Sequence, residues 1–127
     1  VSLYFYNHVM TRQEEEVSTA FHRMSLVEMH HLEIFAELAR QLGEDPRLWT
    51  QVGVQKIYWS PGYNQYPRRL DSLLNNALTG EKDAIQKYQR QLQAISDDNI
   101  RENLQRIIQD EELHVEILME LRQRCRG

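Results

Sequence analysis

Apolar residues recur along this chain at steps of three and four, the spacing of a helix with one buried face. From about Arg12 to Leu42 the stripe is Val17, Ala20, Phe21, Met24, Leu32, Phe35, Leu38 and Leu42. From about Pro67 to Ile95 it includes Leu70, Leu73, Leu74, Ala77, Leu78, Ala84, Ile85, Tyr88 and Leu92, and from Asp98 to about Arg124 it includes Leu104, Ile107, Ile108, Val115, Leu118 and Leu121. A shorter aromatic segment, Val1 to Met10, adds a first helix. Thr11 and Glu14 have capping-box spacing and predict the start of the second. Gly43, followed by Asp45 and Pro46, predicts its end, and Ser96, Asp97 and Asp98 the break before the fourth.

The connection from residue 43 to about 66 is different. It holds both Trp, three of the five Gly, and Tyr58, Tyr63 and Tyr66, so it reads as an ordered crossover whose aromatics pack on helices, with no competing strand signal. Helices of roughly 25 to 30 residues are about 40 to 45 Å long. Two tight turns and one long crossover between helices 2 and 3 predict an all-α, ferritin-like four-helix bundle occupying residues 1–127 as one domain.

The bundle is built from a repeat. Glu28-Met-His-His31-Leu-Glu33-Ile34 and Glu111-Glu-Leu-His114-Val-Glu116-Ile117 share Glu-x-x-His-x-Glu-Ile, 83 positions apart, and Tyr4 and Tyr88 precede them by 24 and 23 residues. The chain therefore reads as two helical hairpins of one design. Glu81 lies seven residues before Tyr88; its counterpart in the first hairpin falls three or four residues upstream of Val1, so the repeat predicts that helix 1 begins earlier and carries one more carboxylate there.

Composition adds chemistry to this outline. Glu28, Glu81 and Glu111 fall inside the apolar stripes, with His31 and His114 one turn from the first and last on the same faces. An unpaired buried carboxylate costs several kcal/mol, and no Lys or Arg falls on these stripes to offset three of them. A pair of cations would supply the charge, with the oxygen and nitrogen ligands that iron and manganese accept. Chance supplies about half a Glu-x-x-His pair among 13 Glu and five His, so two in register with a buried face carry weight. His8, His22 and His30 read as surface or packing residues, Glu14 to Glu16 as a solvated first turn, and Gly80 as a possible local bulge aiming Glu81.

The remaining composition narrows the class. A formal charge of −4 with dispersed Lys and Arg gives no footprint for nucleic acid. A lone Cys125 forms no internal disulfide and fits a reducing cytoplasm. No apolar run reaches the length of a membrane span. The crossover aromatics are more than one small bundle covers, which makes a homodimer an expectation.

At Val27–Glu33, at Gly80-Glu81-Lys82 with Ala84, Ile85 and Tyr88, and at Asp110-Glu111-Glu112-Leu113-His114, the chain resembles the ferritin-like superfamily and most closely the rubrerythrin-type proteins. That resemblance implies two iron ions, with manganese as the alternative, and oxidoreductase chemistry on hydrogen peroxide or dioxygen. It implies Glu28 and Glu111 as bridging ligands, His31 and His114 as one ligand to each metal, and Glu81 as the terminal carboxylate on the His114 metal. Tyr4 and Tyr88 would donate hydrogen bonds to these ligands. The rubredoxin domain of full-length rubrerythrins has no counterpart here, so the electron donor is open. Peroxidase, dimanganese catalase, ferritin-like ferroxidase and a metal-free adaptor bundle are the competing readings.

Overall fold

The computed structural model describes residues 1–60, 62 and 64–126, and the side chains of residues 49–52, 58 and 126 lie outside that description. Helices α1 (Ser2–Met10), α2 (Glu15–Gln41), α3 (Leu70–Ala94) and α4 (Asp98–Arg126) form an all-α four-helix bundle. Between α2 and α3 the crossover carries two short strands, β1 (Trp49–Val52) and β2 (Gln55–Tyr58).

Each helix end has a local cause. α2 stops where Gly43 takes φ 83, its N–H bonding Arg40 O at 3.0 Å while Glu44 N–H bonds Ala39 O at 2.9 Å. A residue with a Cβ enters this left-handed conformation at a cost, so Gly43 supplies the stop that the sequence predicts. Asp97 Oδ1 accepts the Ile100 N–H at 3.0 Å and caps α4, again as predicted. Arg101 donates to Ile95 O at 2.9 Å and to Leu92 O, satisfying carbonyls that the end of α3 leaves open.

Thr11 behaves otherwise. It does not cap α2, which begins at Glu15 with no side-chain cap. Its hydroxyl instead donates to Asn7 O at 2.7 Å and closes α1, because a threonine hydroxyl reaches the carbonyl one turn back. α3 starts at Leu70, not Pro67, since Arg69 is still extended at φ −75, ψ 140.

The crossover also departs from expectation. Instead of strand-free chain, Trp49 pairs with Tyr58 and Val52 with Gln55 across an antiparallel hairpin. Its two-residue turn opens with Gly53 at φ 62, the positive angle that Gly supplies in such turns. Trp59 N–H bonds Leu48 O at 2.8 Å and extends the pairing. Tyr66 packs edge-on against Tyr6 at 4.9 Å, and Asn64 donates to Ser2 Oγ at 3.0 Å, so the crossover is fastened to α1. Trp59 is left 45% exposed. The packing expected of Tyr63 and of the Trp49 and Tyr58 side chains lies outside the described residues.

The core is built from Phe21, Met24, Leu73, Leu74, Ile107 and Leu118, all nearly or fully buried. Two predicted stripe members are exposed instead: Leu42 beyond the end of α2, and Leu32, 38% exposed, which lines an open cavity. α3 runs through Gly80 as unbroken α-helix with no bulge, and a Cβ there would meet nothing within 4 Å. Among the described residues no helix is long and apolar enough to cross a membrane.

Candidate metal centre

Three long helices deliver the acidic and imidazole groups to one level of the bundle. Glu28 and His31 come from α2, Glu81 from α3, Glu111 and His114 from α4. Each pair is a turn apart on the core-facing stripe, so the apolar packing above and below sets their direction. Glu81, Glu111, His31 and His114 are buried, and Glu28 is half-buried.

The groups converge. One ligand atom each from Glu28, Glu81, Glu111 and His114 lies within 4.8 Å of the others. His114 Nδ1 faces Glu28 Oε1 at 3.3 Å, Glu81 Oε1 at 3.6 Å and Glu111 Oε2 at 4.0 Å. His31 Nδ1 faces Glu111 Oε1 at 2.9 Å and Glu28 Oε2 at 3.8 Å. Glu28 and Glu111 thus each present oxygens to both histidines.

The charge states follow from this crowding. Burial alone would lift the Glu28 carboxyl, but the contacts and positive charge of His114 and His31 outweigh it and hold it at about 2. Burial pulls His114 down, yet Glu28 and Glu81 push it up to about 9. His31 is raised in the same way, against burial, by Glu28 and Asp110. Opposite charge in a poorly solvated site favours the ionised form of each partner.

One participant was not singled out from the sequence. His31 Nε2–H donates to Asp110 Oδ2 at 2.8 Å, so a carboxylate from α4 reaches across to the imidazole of α2. A donor proton on Nε2 leaves the lone pair of neutral His31 on Nδ1, the nitrogen that faces the carboxylates. The signal was weak but present: Asp110 directly precedes Glu111, whereas Val27 holds the matching place before Glu28.

The tyrosines differ. Tyr4, buried on α1, donates its hydroxyl to Glu81 Oε1. Burial first, then the Glu81 and Glu28 charges, raise its pKa well above the ordinary value. Tyr88 makes no such hydrogen bond among the described residues; its ring packs against Phe35 at 5.7 Å, and the predicted donation to a ligand is not seen. Burial, Glu28 and Glu81 raise its pKa as well.

A cavity of about 1000 Å³ opens beside Glu28, Glu81 and Glu111, walled by Leu32, Phe35, Ala77, Ala84 and Leu48. Arg47 of the crossover also reaches this wall, held by Asp45 at 2.9 Å.

The residues present fit a metal. Glu28 Oε1, Glu81 Oε2, His31 Nδ1 and His114 Nδ1 are buried atoms without a hydrogen-bond partner, although oppositely charged groups stand around them. Orphaned polar atoms are rare and costly in a packed interior. Glu28, Glu81 and His114 converge with Glu111 on one point while His31 Nδ1 stands beside Glu111, and these carboxylate oxygens and imidazole nitrogens make a donor set suited to iron or manganese. The profile of the family described as Rubrerythrin matches residues 3–122. No curated protein and no solved structure matches the chain.

Proposed function

Because the chain belongs to the Rubrerythrin family, we propose that it is a dimetal-carboxylate oxidoreductase, a rubrerythrin-like peroxidase that reduces hydrogen peroxide. Dioxygen is the second substrate of the same class. Glu28 and Glu111 would bridge two irons, His31 and His114 would each ligate one, and Glu81 would complete the His114 side. The observation that carries this reading is the set of buried carboxylate oxygens and imidazole nitrogens on Glu28, Glu81, His31 and His114 that lack a hydrogen-bond partner.

When bound, the metal pair supplies the redox equivalents: two electrons and two protons turn one peroxide into two waters. The chain's own groups do the rest. Glu28 and Glu111 carry the negative charge that holds cations, and each faces both histidines. Asp110 orients His31 through Nε2. The Tyr4 hydroxyl keeps its proton on Glu81 Oε1, so Glu81 is left one oxygen, Oε2, without a protein partner. The open cavity gives a small oxidant access to Glu28, Glu81 and Glu111.

Metal analysis of protein purified without added metal, followed by peroxide consumption with and without a reductant, tests this. Two irons per chain and reductant-dependent turnover are expected. Manganese with oxygen evolution in the absence of reductant would replace it with a catalase, and absence of any bound metal would sink it.

A further inference from the structure

We propose that the cavity beside the carboxylates takes an organic hydroperoxide, its peroxide group at Glu28, Glu81 and Glu111 and its uncharged alkyl or aryl body along the apolar walls. This rests on the peroxidase reading above and names its substrate class. Size is the first reason. Hydrogen peroxide needs little more than the roughly 30 Å³ share of a water molecule, whereas the cavity holds about 1000 Å³. Pockets that take small organic molecules run from about 300 to 1,000 Å³.

Polarity is the second reason. The carboxylates of the centre supply the polar floor, where Glu28 Oε1 and Glu81 Oε2 are buried without a hydrogen-bond partner. The walls are apolar, carried by Leu32 and Phe35 of α2 and by Leu48, Ile57 and Trp59 of the crossover. Leu32, Leu48 and Trp59 are exposed, and an apolar ligand body would take that surface out of water. Arg47 on the same wall is met by Asp45 at 2.9 Å, which favours an uncharged body over an anionic one.

Helix α3 supplies the room. Gly80, Ala84 and Tyr88 follow one another at steps of four and all line the cavity. Gly80 is not required by the backbone, since α3 runs through it as regular helix and a Cβ there would meet nothing within 4 Å. Glycine inside a helix is destabilising, so what it contributes here is space. The Tyr88 hydroxyl makes no hydrogen bond among the described residues and can donate to the substrate's alkoxy oxygen. The reaction is ROOH + 2 e⁻ + 2 H⁺ → ROH + H₂O. The O–O bond breaks and two O–H bonds form, with one electron from each of two ferrous ions, which become ferric, and the protons from solvent.

Calorimetric titration of the metal-free chain with cumyl alcohol, the reduction product of cumene hydroperoxide, tests the cavity without turnover. A dissociation constant on the order of 0.1 mM or tighter is expected, with tert-butyl alcohol at least about tenfold weaker. Gly80→Leu, a better helix former that fills the space, should weaken cumyl alcohol at least about tenfold with helicity by circular dichroism kept. If it loses helicity, Leu48→Glu, at an exposed position of the crossover, decides instead. Tyr88→Phe should weaken cumyl alcohol and spare cumene. Val54→Glu, fully exposed on the β-hairpin and outside the cavity, should leave binding unchanged. Stopped-flow oxidation of the anaerobic diferrous chain should run at least about tenfold faster with cumene hydroperoxide than with tert-butyl hydroperoxide. Equal rates with the two, or cumyl alcohol binding that Gly80→Leu leaves intact, would overturn the proposal. A chain that reacts with hydrogen peroxide but does not bind cumyl alcohol overturns it and leaves the peroxidase reading standing. One that binds cumyl alcohol yet reacts with no peroxide overturns both.

Discussion

His31 and His114 occupy matched positions of a repeated sequence, yet their surroundings are unequal. His114 faces three carboxylates through Nδ1, whereas His31 faces two and has its other nitrogen held by Asp110. The repeat has duplicated the ligand types without duplicating what supports them. The His114 half is rich in charge, and the His31 half is rich in orientation. Charge governs how strongly a cation is drawn in, and a fixed tautomer governs how well the imidazole meets it. Two metals bound here would therefore bind with unequal affinity, the His114 side first.

The largest test removes what both halves share. Glu111→Gln is expected to abolish metal binding at both positions, seen as loss of both metals by elemental analysis with the far-ultraviolet spectrum unchanged. Retention of one tightly held metal would show that the halves are independent and break the comparison.

Next comes pH. In the metal-free chain His114 is raised from an ordinary 6.5 to about 9, so its stabilising contribution is complete below about 6.5 and is lost as pH rises through about 9. Glu28 is lowered from 4.5 to about 2, so its contribution is complete above about 4.5 and is lost as pH falls through about 2. Thermal unfolding of metal-free protein should peak between about pH 4.5 and 6.5. A ligating imidazole must give up its proton, so metal uptake should release protons and strengthen up to about pH 9. Affinity independent of pH across that range would remove His114 from the ligand set.

Two single substitutions then separate the halves. Glu81→Gln should cost the His114-side metal and spare the other. Asp110→Asn should weaken the His31 side about 10- to 100-fold while leaving the His114 side unaltered. Stepwise titration with an optically active divalent metal such as Co²⁺ reads both. The smallest effect is expected from Val27→Asp, which copies Asp110 into the other half: a few-fold tightening of the His114 side, measured by the same titration.

Much of the fold was legible because long helices with one buried face leave a periodic trace over many residues, as Phe21, Met24, Leu73, Leu74 and Leu118 do. Gly43 and Asp97 were legible too, because helix ends are local events. Glu28, His31, Glu81, Glu111 and His114 stood out as polar residues inside apolar stripes. The Gly53 hairpin was missed although Gly followed by one residue between two β-prone runs is a turn signal. The aromatic content of the segment points to packing surface instead. The pairing of Asp110 with His31 is not legible, because the two lie on different helices and spacing along one helix does not report contacts between two. Thr11 had two local partners of similar appeal, and the carbonyl behind it won over the amides ahead.

Helix α1 is held in place by contacts with the other elements. It is tethered near one end by Tyr4 on Glu81 and near the other by the His8 Nδ1 contact with Ser18 O at 2.8 Å. Its order is thus on loan from the groups it touches. Any event that changes the charge on Glu81 changes one of these tethers. Slow or fast exchange of the α1 amides should then serve as a gauge of the buried centre, readable without touching the centre at all.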